Sequence, residues 1–410
     1  MDQEHSVDVC IVGAGPVGGT LAARLAGAGV RTALIDRAAL PPMEHPDFDG
    51  RAYAIAAGSR RVLEAAGLWG RLPLAANPIR QIRVSDGRIG RAASRLHLHF
   101  DVGDVADAAP PFEGEAAFGW MVEARSLRMV LNAHLHGLPA LSVYAPAEAA
   151  VVRAAEGATV RIAGGPTLHA RLVVAAEGRG SPLRAAAGIR VTQLPYRQTG
   201  MVFAIAHALP HDDVALEHFL PGGPFAQLPM AGTDGAAHVS AIVWTERDAL
   251  ARHILGLDDA RFTREVARRL GDHLGAIRLI GRRWSYPLSA MVVHGMTASR
   301  LALIGDAAHG IHPIAGQGLN LGFQDVGPLA AAVIDAVAAG EDPGGEAVLR
   351  RYRAARGPTV AAMTAMTDVL DRLFSNDIAP LRLARDIGIA AVDRIAPLKR
   401  LFMRRAMGVG

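Results

Sequence analysis

Two clusters of residues in this chain have the types and spacing to hold a dinucleotide cofactor and put it to work. The first is Gly13-Ala14-Gly15-Pro16-Val17-Gly18, a G-x-G-x-x-G string. Gly13 permits a tight turn, Gly15 lets the backbone approach a pyrophosphate, and Gly18 lets a helix pack on a strand. Asp36 follows 23 residues after Gly13, where a carboxylate accepts hydrogen bonds from a ribose and disfavours a 2′-phosphate. The second cluster is Leu301-Ala-Leu-Ile-Gly305-Asp306-Ala307-Ala308-His309, followed by Pro313 and Gly316-Gln317-Gly318-Leu319-Asn320. Asp306 at a strand end suits the polyol part of a cofactor whose adenine half lies at the first cluster. A helix opening on two glycines offers bare N–H groups and a positive dipole end. That end suits the negative charge of a reduced flavin, and nicotinamide has no such need.

Other chemistries fare worse. His309 and His312 lie three apart beside Asp306, but no third or fourth ligand follows at local spacing, and no metal is expected. Cys10 is the single cysteine and sits in the apolar run Val9-Cys10-Ile11-Val12, a place for a packed thiol rather than a nucleophile. There is no G-x-S-x-G elbow of a hydrolase, no tryptophan-rich halogenase motif and no second nucleotide fingerprint.

The elements needed to position these groups are readable. Residues 7–12 form a nearly continuous apolar run, as a parallel strand buried on both faces requires. A helix is expected from about Pro16 to Ala28 and a strand over 31–36, which completes a βαβ unit around the glycine string. Helical spacing marks 50–70 and 126–136, a strand-like polar stretch covers 81–111, and three short strands are expected over 147–176. Strands are expected at Met201–Ala206, Ala226–Pro229 and Val239–Thr245, a helix over 259–274, a short strand over 301–305, and helices from Gln317 onward. The longest alanine-rich helical run, Gly327 to Gly340, contains Asp335 and is too short to span a bilayer.

Both clusters resemble those of the flavoprotein aromatic hydroxylases related to p-hydroxybenzoate hydroxylase. The stretch His312-Pro-Ile-Ala-Gly-Gln-Gly-Leu-Asn-Leu-Gly-Phe-Gln-Asp325 resembles the signature of the ubiquinone-biosynthesis hydroxylases, the UbiH-like branch. The likeness extends through Asp49-Gly50-Arg51, Gly119–Glu123, Pro224–Pro229, Ser240–Trp244, Thr367-Asp368 and Leu373–Asn376. It implies an α/β fold: a Rossmann-like FAD-binding domain with an inserted antiparallel-sheet substrate domain and a C-terminal helical segment. The expected division is 1–72, 112–180 and 285–379 for FAD, 73–111 and 181–284 for substrate, and 380–410 as a basic tail. The implied cofactor ligands are Gly13, Gly15, Gly18, Asp36, Arg51, Arg125, Glu177, Gly305, Asp306, Gly318, Leu319 and Asn320. Glu177 departs from the family, which has Asp before the glycine matching Gly178. The flavin edge is expected at Pro313, Gly316, Gln317 and Gly318, and no acid or base is assigned.

The implied reaction is hydroxylation of the ring of a polyprenylated phenol in ubiquinone biosynthesis, through a flavin C4a-hydroperoxide. Its partners are then a lipophilic phenol, O2, and NAD(P)H or a protein electron donor. Met201–Ile205 and Phe225–Met230 are candidates for the pocket wall, with ordinary sheet core as the competing reading. Rival functions are hydroxylation of a small soluble aromatic, reduction of a prenyl group, and an FAD-binding scaffold in a quinone-synthesis complex.

Charge supplies a further expectation. The chain has net charge +4 and pI about 9.7, with 42 Arg and one Lys. Residues 380–410 hold six Arg and one Lys against two Asp, a net +5, which leaves the other 379 residues at −1. Apolar residues at Ile387, Ala391, Ile395, Leu398 and Phe402 follow helical spacing. The competing readings for the tail are packing on the FAD domain or on a partner subunit, and peripheral contact with a membrane or a quinone-synthesis complex. Nucleic acid is not expected, because Phe402 is the only aromatic interleaved there. With no apolar N-terminal run of signal length, the expected location is cytoplasmic, with the tail reaching the inner membrane.

Overall fold

The computed structural model describes residues 5–40, 47–87, 89, 97–105, 116–310, 317–374, 403 and 407–408. Its larger sheet is built around β1 (His5–Val12), flanked by β2 (Thr32–Ile35) and β11 (Thr167–Ala175), with β8 (Leu141–Tyr144) and β18 (Leu301–Leu303) outside them. All four of these pairings are parallel. The edges are antiparallel: β17 (Thr297–Ala298) on β18, and β10 (Ala158–Ile162) between β11 and β9 (Ala149–Arg153). Val9, Cys10 and Ile11 are fully buried, as a central strand covered on both faces demands. Burial pushes the Cys10 thiol up to about 12, so it stays protonated and inert.

The covering helices are α1 (Pro16–Gly27), α3 (Ala124–His136), α7 (Gln317–Ala338) and α8 (Glu346–Phe374). α7 starts at Gln317, where a helix is expected from the sequence. The alanine-rich run from Gly327 is the second half of this one helix, which carries Pro328 inside it. Among the described residues it is the one helix long and apolar enough to cross a membrane, with 56% of that stretch buried inside the protein. Phe323, Val326, Leu329 and Val333 all sit in the main core.

The second sheet runs β16 (Ile277–Val293), β12 (Val191–His207), β15 (Val239–Arg247), β14 (Gly223–Met230), β13 (Val214–Leu220), β5 (Gln81–Asp86) and β6 (His97–Asp101). Only the β13–β5 pairing is parallel. One face packs on α5 (Asp248–Leu255) and α6 (Asp259–Leu270), through Met201, Phe203, Ile205, Phe225, Trp244 and Phe262. The other face turns toward a three-stranded antiparallel sheet of β3 (Ala52–Ala56), β7 (Gly119–Glu123) and β4 (Asn77–Ile79). Two short helices complete the set: α2 (Ala57–Ala65), which continues directly from β3, and α4 (Pro182–Ala186). Residues 52–56 were expected within a helical stretch and are instead a strand.

Candidate active site

The glycine loop joins β1 to α1 through steric necessity. Gly13 has φ +106°, and a Cβ there would lie 2.3 Å from the Ala176 carbonyl oxygen. A Cβ on Gly18 would lie 2.0 Å from the Gly13 oxygen. These two glycines let loop, helix and the end of β11 close on one another. Gly15 differs, for a Cβ there meets nothing within 4 Å among the described residues. It caps α1 with no side-chain hydrogen bond, Pro16 opens the helix, and no acidic residue lies in the first turn. The N–H groups at this end are therefore bare and face open space, which is the cradle a pyrophosphate needs.

Asp36 sits just past β2. Its Oδ2 accepts from the Ala14 N–H at 2.6 Å and its Oδ1 from the Ala38 N–H at 2.7 Å. A carboxylate has about four lone-pair positions, so acceptor capacity for a ribose is left. Glu177 follows β11 beside Gly13. Its Oε2 accepts from Ser181 Oγ and from the Leu183 N–H at 3.3 Å, which ties it to the start of α4. The extra methylene relative to Asp is spent on that reach. Burial raises its pKa, against the pull of these two hydrogen bonds and Arg184.

Gly305 and Asp306 lie in a tight turn after β18, with Gly305 at φ +57°. The Asp306 side chain is 55% exposed and 3.7 Å from Arg179 Nε, free to meet a polyol. Arg184, itself buried, braces the turn by donating to the carbonyls of Ala307 and Arg179. From below, Asp325 accepts the Gly305 N–H at 2.9 Å, His309 Nε2 at 2.7 Å and Arg356 Nε at 2.8 Å. Burial raises the Asp325 pKa, but His309 and Arg356 outweigh it and hold the carboxyl below its ordinary range. His309 is thus committed to its hydrogen bond with Asp325. This network was missed by sequence reasoning, because Arg356 is 31 residues from Asp325 and nothing local announces it.

The two clusters meet at Val17. A Cβ on Gly322 would lie 2.7 Å from Val17 Cγ2 and 3.3 Å from the Gly305 Cα. Gln317 opens α7, and Gly318 meets nothing within 4 Å among the described residues. Leu319 packs against the main core. Asn320 is buried and acts as a clamp: its Oδ1 accepts the Ala56 N–H at 2.9 Å and its Nδ2 donates to the Ala54 carbonyl at 2.8 Å. Its amide thus satisfies the edge of β3 as a neighbouring strand would. Pro313, Gly316 and His312 lie outside the described residues.

Arg51 and Arg125 stand at the far end of the three-stranded sheet, where Ala52 pairs with Glu123. Arg51 is held by Asp49, with its guanidinium 4.3 Å over the Trp284 ring. Arg125 donates to Glu123 at 2.6 Å and to Thr233 Oγ1 at 3.1 Å. Each is therefore balanced by an acid of this chain.

Between the two smaller sheet surfaces lies a cavity of about 100 Å³, lined by Ala54–Ala56, Ile79, Ile82, Phe118, Gly119, Ala215–Glu217, Leu228 and Asn320. That is on the order of the space that holds one benzene ring (roughly 150 Å³). Of the expected wall segments, Leu228 alone reaches this lining. Met201, Phe203, Ile205 and Phe225 face the helices instead, by the two-residue alternation of a strand. Among the described lining residues Glu217 is the one acid, and burial pushes its carboxyl up to about 7. Sequence reasoning passed over β13, although an acidic residue inside the apolar run Val214–Leu220 was a signal to use.

This geometry fits FAD: an open helix start for the pyrophosphate, acids placed for ribose and polyol, and a second helix start at the mouth of an apolar cavity. The FAD binding domain family matches residues 6–367. The chain is 46% identical over 402 residues to ubiquinone hydroxylase UbiL of Rhodospirillum rubrum, covering 98% of this chain and 89% of that one. It is 30% identical to the 3-demethoxyubiquinol 3-hydroxylase of Escherichia coli, covering 98% of each. Its fold is shared with the p-nitrophenol 4-monooxygenase PnpA of Pseudomonas putida, at TM-score 0.77, 17% identity and 98% coverage of each chain. The chain belongs to the FAD binding domain family of flavin-dependent monooxygenases, in the branch of the ubiquinone-biosynthesis hydroxylases.

Proposed function

We propose that this protein hydroxylates the aromatic ring of a polyprenylated phenol on the route to ubiquinone. The carrying observation is the apolar cavity that ends on Asn320 at the start of α7, where cofactor site and sheet surface meet. When bound and reduced by NAD(P)H or a protein donor, FAD supplies the activated oxygen. Gly13, Gly15, Gly18 and the start of α1 hold the pyrophosphate, Asp36 the ribose and Asp306 the polyol. Gly305, Gly318, Leu319 and Asn320, with Pro313, Gly316 and Gln317, shape the place where the flavin edge meets substrate. Glu177 borders the glycine loop through α4, whereas Arg51 and Arg125 stand at the far end of the three-stranded sheet, held by Asp49 and Glu123. Ile79, Ile82, Phe118 and Leu228 exclude water from the reacting ring.

The substrate's prenyl chain gives a motive for the basic 380–410 segment, which in this reading docks on an anionic membrane surface or a quinone-synthesis assembly. A strain lacking a quinone-ring hydroxylase, complemented with this gene, tests the substrate. The expected outcome is disappearance of one accumulated prenylphenol and appearance of its hydroxylated product, which names the ring position. NAD(P)H oxidation by the FAD-loaded protein with no hydroxylated phenol would overturn the reading in favour of a scaffold.

A further inference from the structure

We propose that Glu217 is a catalytic residue: its carboxylate, at the wall of the apolar cavity, takes the hydrogen bond and then the proton of the substrate's phenolic hydroxyl. This rests on the phenol reading above and names the group that reading left unassigned. Four observations carry it. Glu217 lines the cavity together with Ala215 on the same face of β13. Its strand neighbours in register are Ala226 on β14 and Val84 on β5, neither of which can answer a carboxylate. No hydrogen bond or ion pair engages its side chain among the described residues, whereas the other polar side chain in the lining, Asn320, is fully engaged with β3. Among the described residues the wall thus holds one free acceptor, and the cavity opens on the start of α7, where the cofactor site begins.

Among the described side chains, the charged groups on the packed elements have other partners. On β7, Glu123 is paired with Arg125. Beside β4 and β13, Asp213 is paired with Arg80 and accepts from Asn77. On β5, Arg83 donates to Gln81. On β3, Tyr53 packs into the core of the larger sheet. His218 holds Ser85 Oγ at 2.6 Å, and its neighbour His273 bears on that imidazole, not on Glu217. Asp86 ends β5 at the register of Phe219, two positions from Val84 and on the same strand face, which makes it the control for Glu217. Burial is the sole cause of the raised Glu217 pKa of about 7. An ordinary phenol loses its proton near 10 and an ordinary Glu near 4.3 (about six units apart), so the gap to be crossed here is about half as wide.

The step balances within the site. The phenol O–H bond breaks, the proton passes to a Glu217 oxygen, and the electron pair stays on the phenol oxygen, where it enriches the ring carbons that receive oxygen. When the hydroxylated ring regains aromaticity, its carbon-bound proton passes to solvent water and Glu217 returns the first proton to the phenolic oxygen.

The test uses FAD-loaded wild type, Glu217→Gln, Glu217→Asp and Asp86→Asn with 2-prenylphenol, from pH 5.5 to 9. Binding is read from the absorbance of the bound flavin and turnover from hydroxylated product. Wild type should bind the phenol roughly tenfold more weakly at pH 6 than at pH 8. Glu217→Gln should lose that break, with kcat down roughly 10²–10⁴-fold and KM changed less. Glu217→Asp should regain part of both, and Asp86→Asn should keep the break. A Glu217→Gln enzyme with the wild-type break, or with kcat within about threefold of wild type, overturns the proposal, as does loss of the break in Asp86→Asn. Should Glu217→Gln fail to retain FAD, the infrared carboxyl band of wild type decides. A shift of the ionised carboxylate stretch on adding phenol at pH 8, absent from Glu217→Asp or altered in it, supports the assignment, and a carboxylate stretch unmoved by phenol overturns it. A wild type that shows the pH break but forms no product refutes the hydroxylase reading and leaves Glu217 as the phenol's binding partner.

Discussion

Asp325 is wholly buried and ionised, whereas Glu217, facing an apolar cavity, is pushed toward its protonated form. The difference lies in the neighbours: His309, Arg356 and a backbone N–H around Asp325, and hydrocarbon around Glu217. Asp325 fastens the Gly305-Asp306 turn to α7 and α8, so its loss reaches the cofactor site without touching it. Asp325→Asn removes the charge, keeps the shape and leaves Arg356 buried without its anion. The expected cost is about 3–5 kcal/mol in urea unfolding at neutral pH, accompanied by weaker FAD retention. Because the folded-state pKa lies below the ordinary 3.8, this stability is present above pH 3.8 and is lost as pH falls through the folded value. The gap between wild type and Asp325→Asn should therefore close only in strong acid, and a gap that closes near pH 6 would contradict the assignment.

At the scale of elements, the glycine loop separates packing from binding. Gly18→Ala drives a Cβ into the Gly13 carbonyl, and no flexible side chain can yield there. It should destabilise the apoprotein by about 1–3 kcal/mol. Gly15→Ala places a methyl group in open space at the cap of α1. It should cost at most about 1 kcal/mol of stability, yet weaken FAD tenfold or more (about 1.4 kcal/mol). Calorimetry of the apoproteins alongside FAD titration distinguishes the two, and equal effects in both assays would refute the division. The loop was legible from sequence because its constraints are local: strand, glycines, helix and Asp36 lie within one βαβ unit. Less legible was Asn320, read as a cofactor ligand, whose amide partners on β3 lie 264 and 266 residues away. β13 escaped notice because Glu217-His218 interrupts its apolar run, and that interruption is what the cavity uses. The strands at Met201–Ala206 and Ala226–Pro229 were found, but which of their faces meets substrate depends on where α5 and α6 pack, and no strand pattern states that.

For the molecule as a whole, the charge split between body and tail poses a mechanical question. Met403 and Met407 are buried with Ala57, Phe118 and Trp120, and the Gly408 backbone lies so close to Gly58 that a Cβ there would sit 2.3 Å from it. Phe118 also lines the cavity, so Met403 and Met407 support the cavity wall from behind. Deleting 380–410 would therefore remove core packing together with charge, and a loss of membrane binding could then be a consequence of unfolding. Charge and packing are separated by two variants. Met407→Ala should cost about 2–5 kcal/mol of stability and retain any affinity for vesicles while folded. Replacing Arg394, Lys399, Arg400, Arg404 and Arg405 by Gln should leave the unfolding midpoint and turnover of a detergent-dispersed prenylphenol close to wild type. It should also abolish sedimentation with phosphatidylglycerol vesicles, since each basic residue near an anionic surface contributes about 1 kcal/mol and the effect fades with salt. Unchanged sedimentation of the neutralised variant would remove the membrane from the account and leave the tail as packing alone.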